Sequence, residues 1–331
     1  MPTRPIVLLT DPIHPEPSAV ISAAAELRVA PATDAASLVA AARHADVVIV
    51  RSPLPPELFE QATRLRGAIR HGAGVDMIPL DAASRHGVAV ANAPGTNAVS
   101  VAEFALGQML ALSHQLRRID STLRAQGWSA ARRLADDSFE LAGRTVGLLG
   151  VGAIGGELAR MCHFGLRMQV LGHRPSARPM PEFVQPVGVD DLFASADVAV
   201  LCCPLNDATR GMVDARLLGR MKPGALLVNV SRGAVVDEAA LTAALGEGRI
   251  GGAALDVFAV QPLPTDSPLL RFPNVIVSSH LAGITRDSMK RMGESVARQT
   301  LQLLEGRLPT HFVNHEAREQ VLARLAALSR P

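Results

Sequence analysis

Tyrosine is absent from the 331 residues, tryptophan occurs once and phenylalanine nine times. A chain without a phenol must move any proton by other means, and so few aromatic rings build no stacking platform for bases. Lysine and arginine total 33 against 31 for aspartate and glutamate, which leaves no basic stripe to hold a phosphate backbone. Nucleic acid is therefore not an expected partner. The three cysteines, Cys162, Cys202 and Cys203, are too few and wrongly spaced for a disulfide framework or a structural zinc site. They are expected as buried thiols, and no metal is expected. Long apolar runs are also missing: "MPTRPIVLLT" is broken at once by Asp11 and Pro12, too soon for a signal peptide or a membrane span. The expectation is a cytoplasmic chain without membrane contact.

What the sequence does hold is apolar residues, 48% of the chain, enough at this length for one large core or two moderate ones. Short apolar runs, "IVLLT", "DVVIV", "GAIRHG" and "VAVANAP", are followed by "TVGLLG", "MQVLGH", "DVAVLCCP", "ALLVNVS", "GAALDVF" and "NVIVSSH". Helical stretches rich in Ala and Leu alternate with them. Strands that are apolar throughout belong to parallel sheets covered on both faces. Two doubly wound α/β units account for this better than one continuous sheet, although size alone allows the latter. The stretch "AVSVAEFALGQMLALSHQLRRIDSTLRAQG" reads as one long helical bridge, and "SMKRMGESVARQTLQLLEG" as a final helix that crosses back.

One strand runs straight into a glycine triplet and a helix, "TVGLLGVGAIGGELARM". Gly150 suits a tight turn, Gly152 lets a pyrophosphate approach bare backbone, and Gly155 lets helix and strand pack closely. Ala153 and Ile154 open the helix whose N-terminus faces the anion. The pattern predicts a dinucleotide site, with a purely structural glycine turn as the weaker alternative. About 20 residues on, an acid that grips the adenosine ribose is expected. There the chain reads "VLGHRPSARP", with Arg174 in place of the acid and Ser176 and Arg178 close behind. A guanidinium suits a 2′-phosphate through charge and forked hydrogen bonds, whereas a carboxylate repels it. NADP(H) is the preferred cofactor and NAD(H) the alternative, because Arg174 could also stack on adenine or face solvent.

The missing tyrosine now excludes the short-chain nicotinamide dehydrogenases, which donate a proton from a phenol. Scattered histidines and three cysteines offer no ligand set for a zinc-dependent alcohol dehydrogenase. Other proton carriers stand at strand ends. "ALLVNVSRGAVVDEAAL" puts Arg232 after an apolar strand, "GAALDVF" ends near Asp256, and "NVIVSSHLAG" delivers His280 after another strand. In an open parallel sheet the C-terminal strand ends line the ligand crevice, so these residues can converge. Singly, each reads as a cap, surface or structural residue.

In order and spacing, the glycine motif, "CCPLNDATRGMV", "LLVNVSRGAVVDEAAL", "ALDVFAVQPLP" and "NVIVSSHLAG" resemble the D-isomer-specific 2-hydroxyacid dehydrogenase family, of the glyoxylate/hydroxypyruvate reductase kind. "IRHGAGVDMIPLDAASRHGVAVANAPGTNAVSVAEFAL" extends the resemblance over almost the whole chain. It implies a Rossmann-type nucleotide domain, 99–285, inserted into a flavodoxin-like substrate domain built from 1–98 and 286–331. A homodimer joined through the helix after Asn97 is also implied. By the same resemblance Arg232 binds the substrate carboxylate and polarises the carbonyl, while His280 is the acid in reduction and the base in oxidation. Main-chain amides of Ala73 and Gly74 would hold the carboxylate, with Asn97 and, more weakly, Arg51 near the substrate. Asp256 would meet the nicotinamide carboxamide, and His173, Pro175, Pro204, Thr209, Val230, Ser231 and Gly283 would complete the cofactor site. The implied substrate is a small 2-keto acid or D-2-hydroxy acid. Leu54 and Met77 are pocket-wall positions where one change could alter side-chain preference.

At one position the sequence departs from the family. Gln261 stands where a glutamate usually pairs with the histidine, and no gap is needed between "ALDVF" and "QPLP" to align it. Losing a neighbouring carboxylate removes stabilisation of the imidazolium, so His280 should hold its proton more weakly. The amide can still orient the ring. Formate dehydrogenases resemble this chain in having Gln before Pro, which offers formate oxidation as an alternative. A nucleotide-sensing regulatory protein without catalysis is a second alternative, because fold alone does not establish activity.

Overall fold

The computed structural model describes residues 4–175 and 179–329. Ser176 and Arg178 of the expected ribose-phosphate site lie outside the described residues. The chain divides into two units, Met1–Asn97 with Ile284–Pro331, and Ala98–Gly283.

The first unit is built on a parallel sheet of β1 (Ile6–Leu9), β2 (Glu26–Val29), β3 (Val47–Val50), β4 (Gly67–Arg70) and β5 (Ala89–Ala91), in the order β2-β1-β3-β4-β5. Every residue of β3 is fully buried, as a central strand with both faces covered requires. The helices Pro15–Ala24, Arg286–Leu304 and Arg318–Leu328 pack on one face through Ile21, Val296, Leu303 and Val321. Gly67 marks the closest approach: a Cβ there would stand 2.5 Å from the Leu303 side chain. The Arg286–Leu304 helix begins in a reciprocal cap in which Thr285 and Ser288 satisfy each other's backbone N–H groups. Strand order reverses across β1, so the loops after β1 and β3 flank the point where such sheets bind ligands.

The second unit carries seven parallel strands: β6 (Thr145–Leu149), β7 (Gln169–His173), β8 (Val184–Pro186), β9 (Val198–Leu201), β10 (Leu226–Asn229), β11 (Gly252–Leu255) and β12 (Val275–Val277). Their order is β12-β11-β10-β9-β6-β7-β8. The reversal falls between β6 and β9, which places the glycine turn after β6 beside the Cys202–Cys203 turn after β9. The two cysteines point to opposite faces, as neighbours on an extended chain must. Cys202 packs with Val151, Leu158 and Cys162, and Cys203 with Val213, Val235 and Phe258. Cys162 and Cys203 are buried and Cys202 is half-buried; burial pushes the Cys162 thiol up to about 12.

The long helical bridge read from the sequence is a broken one. Ala98–Ser113 and Leu116–Gln126 are separate helices. Gln115 between them takes a left-handed conformation, φ 51°, and a residue in that region ends an α-helix. Among the described residues no helix is long and apolar enough to cross a membrane, and no cluster of His, Cys, Asp or Glu has the makings of a metal site.

Candidate active site

The turn after β6 forms as the glycines require. Gly150 has φ 104°, and a Cβ there would meet Cys203 N at 2.6 Å; at Gly155 a Cβ would meet the Gly150 carbonyl oxygen at 2.1 Å. Both contacts are with backbone, which cannot move aside. Open space surrounds Gly152. No side chain caps the Ala153–Arg160 helix that follows, so its first N–H groups point outward as an anion cradle. The Gly150 N–H donates to His173 O at 2.8 Å, which ties the turn to the end of β7. These residues fit the pyrophosphate of a dinucleotide.

Around that turn stand the other residues expected to meet a cofactor. His173 Nδ1 lies 3.0 Å from Val187 O, and a carbonyl can only accept, so the proton sits on Nδ1. Arg174 donates from Nη1 to Val151 O at 2.8 Å and from Nη2 to Pro179 O at 2.6 Å, which lays its side chain against the glycine turn. Pro175 follows it. In the loop after β9, Thr209 Oγ1 donates to Pro204 O at 2.7 Å and accepts from Asn206 N–H at 2.9 Å, closing the turn on itself.

Arg232 and His280 are each held by a buried polar residue at a strand end. Asn229, the last residue of β10 and 1% exposed, accepts from Ser231 N–H at 3.0 Å and Ser231 Oγ at 2.9 Å. Its own Nδ2 donates to Arg232 O at 3.1 Å. That side chain fixes the turn Val230–Arg232, and Arg232 Nη1 donates to Ser231 O at 2.8 Å. Asp256, directly after β11 and 2% exposed, collects donors from the loop after β12 in the same way. Ser278 Oγ and the Leu281 N–H reach its Oδ1 at 2.6 and 2.9 Å, and the Ala282 N–H reaches Oδ2 at 2.9 Å. The two anchors are linked, because the Asp256 N–H donates to Asn229 O at 3.0 Å. Gly283 ends the unit just beyond.

Gln261 completes a chain from Arg232 to His280. A Cβ at Gly233 would lie 1.9 Å from the Phe258 carbonyl carbon, so the residue after Arg232 rests on the Phe258 backbone. Gln261 Nε2 donates to Phe258 O at 3.3 Å, and Gln261 Oε1 lies 3.1 Å from His280 Nδ1. The Phe258 carbonyl can only accept, which fixes the amide with its NH2 toward Phe258 and its oxygen toward the ring. Nδ1 of His280 therefore carries a proton, and Nε2 is the nitrogen that exchanges one.

The first unit has its own cluster at the C-terminal ends of its strands. Arg51 follows β3 and donates to Pro12 O. Ser52 Oγ donates to Asp11, and the Arg51 and Ser52 N–H groups both donate to Thr10 Oγ1. Arg70 at the end of β4 donates from Nη1 to Val50 O at 2.9 Å and His71 O at 2.8 Å. Ala73 and Gly74 come next. The Ala73 carbonyl accepts from Asn92 Nδ2 at 2.6 Å, which sets the direction of that peptide segment. Asn97 is half-buried in the turn before the Ala98–Ser113 helix, Met77 is half-buried and Leu54 is buried. Sequence reasoning missed Thr10, Asp11, Ser52, Arg70, His71 and Asn92 here, and Asn229, Gly233 and Ser278 in the second unit. A polar residue closing an apolar strand, as in "LLVN", was the signal available for Asn229.

A sequence profile described as D-isomer specific 2-hydroxyacid dehydrogenase, NAD binding domain, matches residues 106–282. The chain belongs to the D-isomer specific 2-hydroxyacid dehydrogenase family. It is 37% identical over 316 residues to D-3-phosphoglycerate dehydrogenase of Mycobacterium tuberculosis, a match that covers 94% of this chain and 59% of that protein. With glyoxylate reductase of Korarchaeum cryptofilum it shares 35% identity over 276 residues, 82% of each. The chain thus spans between half and three-fifths of the length of the phosphoglycerate dehydrogenases it matches, 59% in the M. tuberculosis case and 50% in that of Bacillus subtilis. The crystal structure of NADPH-dependent glyoxylate/hydroxypyruvate reductase from Sinorhizobium meliloti, in complex with NADP and malonate, aligns with a TM-score of 0.82 at 28% identity. That alignment covers 94% of this chain and 97% of that one. Family and two-sheet architecture agree with what the motifs led one to expect.

Proposed function

We propose that the chain reduces a small 2-keto acid to its D-2-hydroxy acid, with NADP(H) preferred over NAD(H). The observation that carries this reading is the linked pair of turns in the second unit, where Asn229 and Asp256 hold Arg232 and His280 while Gln261 sets the tautomer of the histidine. NADPH, held at the glycine turn, would supply a hydride for the carbonyl carbon. Arg232 contributes a fixed positive charge that binds the carboxylate and polarises the carbonyl as negative charge grows on its oxygen. His280 delivers the proton to that oxygen from Nε2, and Gln261 keeps Nδ1 protonated and the ring in place. In the first unit the main-chain amides of Ala73 and Gly74 suit a carboxylate, with Arg51 and Asn97 as further substrate contacts.

Support for NADP(H) comes from the end of β7. No carboxylate follows the strand, and Arg174 lies against the glycine turn through Val151 O and Pro179 O, a guanidinium where a 2′-phosphate would need a positive charge. The S. meliloti relative is NADPH-dependent, which points the same way. His173, Pro175, Pro204, Thr209, Val230, Ser231, Asp256 and Gly283 make up the rest of the cofactor contacts in this reading. The assembly is a homodimer in the cytoplasm. Its contact lies along residues 98–128, where Leu116, Leu123 and Trp128 are exposed by 54%, 41% and 71%, apolar surface that a second copy would cover.

Initial rates with glyoxylate, hydroxypyruvate, phosphohydroxypyruvate and formate, each with both nicotinamide cofactors, test the reading. Reduction of at least one keto acid, faster with NADPH, is expected. A clear preference for NADH removes the cofactor assignment. Formate oxidation without keto-acid reduction replaces the reaction, and tight NADPH binding without any turnover makes the chain a nucleotide sensor. Light scattering on the eluting protein checks the dimer.

A further inference from the structure

We infer that Asp256 is a positioning residue whose buried carboxylate holds the turn bearing His280 in the conformation that proton exchange needs. The inference rests on the proposed reading of His280 as proton carrier. His280 has φ 56°, a left-handed conformation that a non-glycine residue keeps only when its surroundings impose it. Asp256 supplies that imposition. Its Oδ1 accepts from Ser278 Oγ at 2.6 Å and from the Leu281 N–H at 2.9 Å, and its Oδ2 from the Ala282 N–H at 2.9 Å. Its main-chain carbonyl accepts from the His280 N–H itself at 2.8 Å. One residue thereby takes donors from both sides of His280 and from His280 itself.

The geometry needs a carboxylate rather than an amide. Every side-chain partner of Asp256 within the turn is a donor, so an asparagine would aim its NH2 at a backbone N–H or at the Ser278 hydroxyl. The charge also strengthens each bond relative to a neutral acceptor. Of about four acceptor positions on a carboxylate, three are used inside the chain and one remains on Oδ2. Asp256 can therefore meet a nicotinamide carboxamide, as the family resemblance implies, without releasing the turn. The other end of the anchor is fixed through the Asp256 N–H, which donates to Asn229 O at 3.0 Å.

The test compares Asp256→Asn, Ser278→Ala and Ser278→Thr with the unchanged chain. Asp256→Asn is expected to lower kcat for keto-acid reduction, measured at saturating NADPH, by about 10²-fold, the scale of a misplaced catalytic group. Ser278→Ala should lower kcat by about tenfold, and Ser278→Thr, which keeps the hydroxyl, should stay within about twofold. In the absence of any ligand, amide hydrogen exchange across 278–283 should quicken in Asp256→Asn and Ser278→Ala, with the β6 and β10 peptides unchanged. Unchanged exchange across 278–283 overturns the inference. So does Ser278→Thr as slow as Ser278→Ala, or a loss in Asp256→Asn that lies entirely in NADPH affinity. Should Asp256→Asn not fold, the two Ser278 variants decide alone. If the unchanged chain reduces no keto acid, the proposed function fails, and the exchange experiment still tells whether Asp256 holds the turn.

Discussion

Gln261 offers His280 an oxygen acceptor and no charge. A glutamate in the same seat would stabilise the imidazolium, raise the pKa of the ring and keep the acid form present at higher pH. An adjacent opposite charge commonly moves a pKa by about 1–3 units, and at this exposed pair the lower end applies because water screens the interaction. Gln261→Glu is therefore expected to carry the alkaline limb of keto-acid reduction about one pH unit higher, read from kcat/KM against pH. An identical profile in both proteins would show that residue 261 does not tune the histidine. Gly233 makes the second argument at this scale. A Cβ there would stand 1.9 and 2.1 Å from the carbonyl carbon and oxygen of Phe258, and that oxygen accepts from Gln261. Gly233→Ala should destabilise the chain by about 1–3 kcal/mol, the usual cost of overpacking, and should loosen Gln261. Thermal unfolding and kcat are expected to fall together.

The strand–turn–helix that opens the second sheet carries its constraint in backbone contacts. At Gly155 a methyl group would sit 2.1 Å from the Gly150 carbonyl oxygen, so Gly155→Ala must open the turn and should weaken NADPH binding by at least about tenfold, an outcome read by fluorescence titration. This element was legible in the sequence because its function and its sterics both demand glycine. Strands such as β3 and β10 were legible because every residue is buried, which writes a continuous apolar run. β2 and β8 left no such mark. Glu26–Val29 lies at a sheet edge with only Leu27 half-buried, and Val184–Pro186 is three residues long with one buried. The break at Gln115 was hidden because neither Gly nor Pro announces it. At the site, the order Arg232, Asp256, Gln261, His280 could be read from motifs. The work of Asn229, Ser278 and the Phe258 carbonyl could not, because it depends on strand register, here Asn229 opposite Leu255, and on which backbone groups that register brings together.

For the molecule as a whole, a formal charge of +2 at pH 7 leaves little self-repulsion near neutrality, and a buried group that titrates just below neutrality can shape the pH response there. His71, 3% exposed at the end of β4, is the clearest such group. Burial, then the nearby Arg51 and Arg70 guanidinium groups, bring its pKa from 6.5 to about 4, against a backbone hydrogen bond at Met289 that works the other way. The folded chain thus keeps this imidazole neutral, while the unfolded chain protonates it near 6.5. Its contribution to stability is full above pH 6.5 and is lost as pH falls toward 4, by about 3 kcal/mol across the whole interval at 1.36 kcal/mol per unit. The carboxylates held low by a partner, Glu16 by Lys290 and Asp190 by Arg216, lose their contribution only as pH falls below the ordinary carboxylate range, outside the interval from pH 7 to 5. Urea unfolding should show a loss of about 2 kcal/mol between those two pH values. His71→Gln, which cannot titrate there, should flatten that slope whatever its stability at pH 7. Equal slopes in the two proteins would place the acid sensitivity on another group.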